Sequence, residues 1–378
     1  MLIVLLLLFG SLAIAIRIPA FQTFLAHRAA AFFSYKLNTK VSIEKVELSF
    51  FNKAEFVNFY MEDLNGDTLV ATERLLIKVK VFELLDKQVS ISSIQLDRAT
   101  LHLKRDSAGL TNVGQLFGST YSSAGDTTPK PKQPFTWKIE LNELTLTNTD
   151  FQYYDVKGNL DLKVGLKLLD ADVRKFSVAE NVVDISKLRL DGADVSVALM
   201  KRIKGPEDTV PMNIHFMPGE MKLKFGEFAL TNSHFSLNDL NSDTIKAKGM
   251  DFKHLDIKDI NLFAENGAII ADTIFADVKL LKAEDRSGFK LDNLSANARV
   301  SVNDIKLDSL DIKTPYSHIT NSLAFRYEHF RAFKHFLTDV KMKADLKDTK
   351  LALKDLCYFV PALEQVCHNN FYINGTIT

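Results

Sequence analysis

The side chains most suited to bind a metal ion lie in two short segments of the sequence. Asp63, Asn65 and Asp67 alternate along "DLNGDT", and carboxylate and amide oxygens are calcium ligands. An EF-hand loop also needs Gly at its sixth position, Glu at its twelfth and a helix on each side. Here Gly66 comes too early, and the flanking apolar residues alternate as in strands. The pattern therefore favours a tight turn over a calcium site.

Cys357 and Cys367 are the only two cysteines, and His368 follows the second one. The two thiols can form one disulfide in an oxidising compartment, although two cysteines do not identify that compartment. A zinc site that includes His368 is the alternative, but the spacing matches no zinc-finger pattern.

Acid–base and nucleophilic chemistry have no clear centre in the sequence. The nearest cluster is Glu328, His329 and His335, which lies in an aromatic, helix-like stretch and is expected at the surface. There is no Gly-rich phosphate loop, Gly-x-Ser-x-Gly elbow or His-Glu-x-x-His motif. The chain is therefore expected to be no enzyme and to use no cofactor.

The net charge of the chain and the alternation of apolar and polar residues indicate its class of partner and its secondary structure. Lys and Arg total 47, as do Asp and Glu, so the net charge of zero does not favour a nucleic-acid partner. From Val41 onwards apolar and polar residues alternate, for example in "LDLKVGLKL" at 160–168. Such alternation predicts strands with one apolar and one solvated face, paired antiparallel.

A ten-residue pattern occurs twice, as "LTNTDFQYYD" at 146–155 and "LTNSHFSLND" at 230–239. In each, two alternating apolar residues are followed by a slip in phase and then by two more. Segments 93–106 and 303–312 have the same slip, which predicts a bulge that bends the strand and restores its apolar face. The predicted apolar lining is Ile94, Leu96, Leu101, Leu103, Leu144, Leu146, Phe151, Tyr153, Phe228, Leu230, Phe235, Leu237, Ile305, Leu307, Leu310 and Ile312.

Residues 39–378 are predicted to form one repetitive, solenoid-like β domain of bent hairpins, which continues beyond residue 378. Polar segments at 106–134 and 202–213 are predicted loops. The aromatic stretch 323–337 indicates a helix-like interruption, and 353–363 a short helix that ends at Pro361.

Residues 1–18 are predicted to be a membrane anchor or a signal segment, because residues 2–16 carry no charge. A buried core helix is the alternative. The anchor residues are Leu2, Ile3, Val4, Leu5, Leu6, Leu7, Leu8, Phe9, Leu12, Ile14 and Ile16. The basic residues that follow would by themselves keep the rest of the chain cytoplasmic.

Residues 19–38 are predicted to form an amphipathic helix, with Phe21, Phe24, Leu25, Phe32 and Phe33 near one face.

A long sheet with one apolar face must cover that face. A second sheet, closure into a barrel or a bound ligand can do so. Because bent strands repeat with little helix to pack on them, the pattern favours a long, curved, open groove whose lining holds acyl chains.

Four segments carry a family resemblance: "RIPAFQTFL…LNTKVSIEKVELSF", "MEDLNGDTLVATERLLIKVKV", "ISSIQLDRATLHLKRD…TNVGQLF" and "DLKDTKLALKDLCYFVPAL". They resemble the N-terminal part of AsmA/TamB-family proteins. The resemblance implies a single N-terminal inner-membrane span, a β-taco groove in the periplasm, and transport of phospholipid to the outer membrane or support of outer-membrane assembly. It also implies an Omp85-type barrel protein as a partner and no catalytic residues.

Two other classes of protein stay open at this point. A scaffolding protein of the cell envelope would have closed β-sandwiches and act through protein contacts. A secreted β adhesin would need the N-terminal run to be cleaved.

Overall fold

The computed structural model describes residues 18–49, 52–79, 91–121, 141–177, 180–201 and 221–377, and most of them lie in β-strands. The chain divides into two compact units, Met1–Asp170 and Ala171–Thr378, and the boundary falls inside one strand. Residues 2–16, predicted to be a membrane anchor, lie outside the described residues. None of the helices in the described part has an apolar stretch long enough to cross a bilayer.

Unit 1 consists of a helix and a sheet with a second, shorter helix after its fifth strand. Its elements are α1 (Pro19–Leu37), β1 (Val41–Ser42), β2 (Lys45–Ser49), β3 (Lys53–Glu62), β4 (Thr68–Val79), β5 (Ile91–Arg105), α2 (Asn112–Tyr121), β6 (Glu143–Asp155) and the first part of β7 (Leu160–Ser177). β1 and β2 both pair antiparallel with β3, and β3–β4 and β4–β5 are also antiparallel. β5 and β6 are parallel.

Unit 2 is a longer strand series with two short helical insertions. Its elements after β7 are β8 (Val182–Asp191), β9 (Asp194–Leu199), β10 (Lys222–Asp239), β11 (His254–Ile270), β12 (Thr273–Asp285), β13 (Lys290–Leu291), β14 (Asn293–Ser301), β15 (Asp304–Lys313), β16 (His318–Arg326), a 3₁₀ helix (Phe330–His335), α3 (Phe336–Asp339), β17 (Lys341–Ala352), α4 (Leu353–Cys357), a 3₁₀ helix (Pro361–Val366) and β18 (Asn370–Ile377). From β10 to β18 neighbouring strands are antiparallel.

The prediction of a purely antiparallel sheet is wrong, because both units are mixed. β5–β6 in unit 1 and β8–β10 and β9–β10 in unit 2 are parallel pairs. Parallel neighbours need a long crossover connection, and each of these pairs is joined through one of the predicted loops. The first crossover contains α2, so the prediction that 106–134 is only a loop is also wrong. Residues 122–134 and 202–213 lie outside the described residues.

The predicted slips in strand phase are real kinks. Each contains one residue with left-handed backbone: Arg98 (φ 48°), Asn148 (φ 48°), Asn232 (φ 51°) and Ser309 (φ 51°). The pairing registers of β10 with β11 and of β15 with β16 shift at these points. A left-handed residue, as in the G1 type of β-bulge, inserts one extra position into a strand, so the apolar face continues after the kink.

Hydrogen bonds hold the two copies of the ten-residue pattern in the same way. The hydroxyl of Thr147 donates to the carboxylate of Asp97 on β5 at 2.6 Å, and that of Thr231 donates to Asp191 on β8 at 2.6 Å. The Thr147 hydrogen bond is the main reason that the pKa of Asp97 lies below its ordinary value. "LDRATL" and "LDGADV" therefore repeat as well, each paired in parallel with one copy of the pattern.

The two short insertions of unit 2 differ from their predicted bounds. Residues 323–326 extend strand β16, so the helical part of the aromatic stretch begins only at Phe330. Pro361 begins a 3₁₀ helix instead of ending one, as a residue with fixed φ and no N–H can do. Cys357 and Cys367 form a disulfide across this insertion, with Cα atoms 6.3 Å apart, so their sulfurs are not available to zinc.

Candidate functional site

The predicted lining residues of unit 1 lie next to one another in register. Across the parallel pair β5–β6, Ile94 is opposite Leu144, Leu96 opposite Leu146, Leu101 opposite Phe151, and Leu103 opposite Tyr153. Directly paired residues point to the same side of a sheet. The kinks at Arg98 and Asn148 occur at the same height on both strands, which keeps this match on both sides of the bend.

The same side of unit 1 is apolar across five strands. One cross-strand row runs from β2 to β6 through Val46, Phe56, Leu75, Leu96 and Leu146. We call this surface, with the parallel rows above and below it, the unit-1 apolar face.

Unit 2 has a longer surface of the same kind, the unit-2 apolar face. Its longest row crosses eight strands and contains only hydrocarbon and thioether side chains. The row is Val183, Leu223, Ile269, Ile274, Val300, Ile305, Phe325 and Met342. With strands about 4.8 Å apart, a row of this kind is roughly 34 Å long.

The structure also groups the predicted lining residues of unit 2. On β10, Phe228 and Leu230 are opposite Leu188 and Leu190 of β8, and Phe235 and Leu237 are opposite residues of β9. On β15, Ile305, Leu307 and Ile312 are opposite Phe325, Leu323 and Ile319.

These apolar side chains are half-buried. Of the sixteen predicted lining residues, all but Leu310 are of intermediate exposure, and Leu310 is 2% exposed. The largest fully buried side chains in the described ranges are Leu116, Thr149, Thr349, Asp63 and Ser93, only one of which is a large hydrocarbon. A sandwich core would bury many leucines, isoleucines and phenylalanines completely. In the described residues neither apolar face is buried as completely as a sandwich core would be.

Two helical elements, α1 and the insertion after β16, pack on part of the faces. In unit 1, Ala26 and Ala30 of α1 pack on Ile43 and Val46. In unit 2, the insertion after β16 packs on Ile305 and Phe325 through Tyr327, Phe330 and Ala332. The covered areas are a few residues wide, so most of each row stays half-exposed.

The opposite side of each sheet is charged. Arg74 donates to both carboxylate oxygens of Glu55 at 2.6 and 3.2 Å, and Arg74 holds the pKa of Glu55 below its ordinary value. Lys306 pairs with Asp308 at 2.6 Å and is exposed. Charges of both signs alternate here, which keeps this side in water.

Sequence reasoning missed two polar arrangements in unit 2. His234, inside the second copy of the repeated pattern, lies between Asp194 and Asp256, with each ring nitrogen 2.8 Å from a carboxylate oxygen. Asp251 is buried and accepts hydrogen bonds from the backbone N–H of Lys246 and Lys253. The partners of His234 come from β9 and β11, so nothing in the local sequence brings them together, whereas the partners of Asp251 lie within five residues of it in one turn.

Metal-binding geometry is not found in the described ranges, where no three His, Cys, Asp or Glu side chains form a cluster. Asp63 instead accepts hydrogen bonds from the N–H of Asn65 and Asp67, as expected for the predicted turn. Its other oxygen accepts from the side-chain amide of Asn112 at 3.2 Å.

Residues 39–328 match the family model described as AsmA family. No curated protein sequence matches the chain.

Proposed function

The chain belongs to the AsmA family, and on this premise we propose that its apolar faces hold the acyl chains of phospholipids in transit between the inner and outer membranes of a cell envelope. In this proposal each face is the wall of an open β-groove. The headgroup stays in water at the rim, and no covalent chemistry takes place.

One observation carries the proposal: long rows of apolar side chains are in register across many strands and are only half-buried. The eight-residue row of unit 2 is of intermediate exposure from Val183 to Met342. Exposed apolar surfaces of this extent in a soluble domain mark places where a ligand, a membrane or another protein is bound. Acyl chains fit such a surface because they need no polar partner.

The energetics allow binding and movement together. Each methylene group transferred from water to an apolar surface contributes about 0.8 kcal/mol. A chain of about sixteen carbons therefore gains on the order of 10 kcal/mol before the entropic cost of ordering it is subtracted. Because every position of a row offers the same contact, the chain can shift along it with little change in free energy.

The placement of the protein is part of the same proposal. Residues 2–16 would anchor the chain in the inner membrane, with the β-strands in the periplasm, and an Omp85-type barrel protein would be the partner at the outer membrane. The family membership and the uncharged N-terminal run support this placement.

The test is the lipid content of the purified full chain. Phospholipid is expected to co-purify with the wild type and to be measurable by mass spectrometry without added lipid. Leu146→Arg and Leu230→Arg each place a charge in a row, where acyl chains would have to desolvate it, so both variants should retain much less lipid.

Matched controls place the same arginine on the charged side of the same strands. Asp150→Arg on β6 and Glu227→Arg on β10 replace exposed residues and should leave the lipid content unchanged. Circular dichroism shows whether all four variants keep their strands. A folded wild type without lipid, or equal lipid in all variants, would reject transport and favour a scaffolding role.

A further inference from the structure

The first helix carries several of its large aromatic residues on the side that faces away from the protein. Ala26 and Ala30 are buried against the sheet at 0% and 9% exposure. Phe24, Phe32 and Tyr35 are 51%, 56% and 84% exposed. This is the reverse of a helix in a soluble domain, where the large apolar residues face the core and the outer side is polar.

The sheet side of α1 explains why the helix is held in this orientation. Small alanines allow its backbone to approach Ile43 and Val46 closely. At its C-terminal end, Asn38 has left-handed backbone, and the N–H of Val41 donates to the hydroxyl of Ser34 at 2.9 Å. The hydroxyl of Thr39 donates to the carbonyl of Glu62 at 3.0 Å. The outer residues are therefore held outward by a rigid attachment to β1 and β3.

The charged residues of α1 itself have one sign, since Arg28 and Lys36 lie on it and it contains no Asp or Glu. The sequence contains no Asp or Glu before Glu44, whereas Arg17, Arg28, Lys36 and Lys40 all precede it. The guanidinium of Arg28 lies 5.3 Å from the centre of the Phe24 ring, so the aromatic and basic groups share one surface. Aromatic rings at the level of the headgroups and basic side chains beside lipid phosphates are groups that hold proteins at the surface of an anionic bilayer.

We infer that the outer side of α1 (Phe24, Arg28, Phe32 and Tyr35) is a docking surface for an anionic lipid bilayer. The aromatic rings enter the boundary between headgroups and acyl chains, and the basic side chains contact lipid phosphates. The position of the helix supports this occupant, because it begins two residues after the uncharged run 2–16 ends at Arg17.

If the proposed function is correct, docking of α1 on the bilayer also determines where lipid enters the unit-1 apolar face. The alanine side of α1 packs on Val46, the first residue of the row that continues through Phe56 and Leu75. A bilayer bound to the outer side of α1 therefore lies one helix diameter, about 10 Å, from the start of the unit-1 apolar face. The docked helix would hold that end of the face next to its source of lipid.

The experiment uses fluorescence from single tryptophans in the full chain. The natural tryptophan, Trp137, is replaced by Phe, and the probe is Phe32→Trp. A control protein carries Lys306→Trp on the charged side of β15. Each is placed in nanodiscs with one copy per disc, made of phosphatidylcholine with or without phosphatidylglycerol, and with bromine on the acyl chains.

The expected result is a blue-shifted emission of the tryptophan at position 32 that loses intensity with brominated lipid. The tryptophan at position 306 should respond only to iodide in the water. Arg28→Gln should weaken the lipid-dependent signal in anionic discs about fivefold, which corresponds to about 1 kcal/mol per basic side chain at such a surface. It should have a smaller effect in phosphatidylcholine alone.

Two outcomes overturn the inference. Iodide quenching at position 32 as strong as at position 306 would show that the surface stays in water. Protection from both iodide and bromine would show that protein covers it, for example residues 1–17 folded back. The proposed function can fail on its own. If brominated lipid quenches the tryptophan at position 32 but no phospholipid co-purifies with the protein, the docking surface stands and the transport proposal is rejected.

Discussion

At the scale of single residues, unit 2 contains two polar contacts whose pH dependence can be worked out. Hydrogen bonds to Asp194 and Asp256 raise the pKa of His234 above its ordinary value. Burial alone would raise the pKa of Asp251, but the N–H groups of Lys246 and Lys253 and the ring of His254 outweigh it and lower that pKa to about 2. The two groups therefore stabilise the fold in opposite pH ranges.

We predict that His234→Asn destabilises unit 2 at acidic pH and has less effect as the pH rises. Because the folded pKa is raised, the contribution of His234 is complete below its unfolded pKa of about 6.5 and is lost as the pH rises through the folded value. The measurement is thermal unfolding of both proteins over a pH series. A difference in Tm that grows towards alkaline pH would contradict it.

We predict that Asp251→Ala lowers the free energy of unfolding by about 2–3 kcal/mol at neutral pH, because several buried donors lose their acceptor. Since the folded pKa is lowered, the wild-type advantage is present above the unfolded value of 3.8 and is lost as the pH falls towards about 2. Urea unfolding at neutral and acidic pH measures both effects.

The control for this prediction is Asp243→Ala, since the Asp243 side chain is 87% exposed. It should stay within about 0.5 kcal/mol of the wild type. Equal losses at Asp243 and Asp251 would mean that buried hydrogen bonds are not the cause.

At the scale of elements, the kinked strand is the repeated unit. In all four kinks the left-handed residue is followed by a side chain that is nearly fully buried: Ala99 after Arg98, Thr149 after Asn148, Ser233 after Asn232, and Leu310 after Ser309. The hydroxyl of Ser233 donates to the carbonyl of Thr231 at 2.9 Å and accepts from the N–H of Ala193 at 3.2 Å. The repeated pattern therefore encodes a bend together with the hydrogen bonds that close it.

We predict that Asn232→Val costs about 1–2 kcal/mol more than Asn232→Gly, because an L-residue with a branched side chain is strained in left-handed backbone. Both variants lose the hydrogen bond from the Asn232 side chain to Asp191, so their difference isolates the backbone. Thermal unfolding is the measurement. The matched control is Asn238→Val on the same strand, where φ is not positive and Val should be tolerated. Equal costs at both positions would contradict the kink as the cause.

At the scale of the whole molecule, the apolar rows of the two faces and the net charge of zero determine how binding of lipid should depend on salt. The chain has 47 basic and 47 acidic residues, and the charges on the strands lie opposite the apolar faces. Lipid bound through acyl chains should therefore respond little to salt, whereas contact of α1 with an anionic bilayer should weaken as salt screens it.

We predict that bound phospholipid is retained when the ionic strength is raised. We also predict that phospholipids with different headgroups bind the apolar faces with nearly equal affinity. Apolar contacts do not depend on charge screening, and the acyl chains are the same in each lipid. The measurement is mass spectrometry of the lipid retained by the full chain after washes of increasing salt, with phosphatidylethanolamine and phosphatidylglycerol in equal amounts. Release by salt, or strong selection of one headgroup, would place the binding energy in a polar site instead.

The sequence by itself determined the local features: strands from the two-residue period, kinks from the slips in that period, and the residues that share a face. Leu96 and Leu146 could be assigned to the apolar side because alternation depends only on neighbours in the chain. The disulfide between Cys357 and Cys367 could be named as a possibility but not decided.

Only the tertiary structure decided which strands are neighbours and what each face meets. The parallel pairing of β5 with β6 depends on a crossover between residues 106 and 142, and a local period carries no information on strand order. The outward direction of Phe24 and Phe32 was also not readable, because a helical pattern shows which residues share a side but not which side packs on the protein. That choice was made by the small alanines of α1, which fit closely against Ile43 and Val46 where phenylalanines would not.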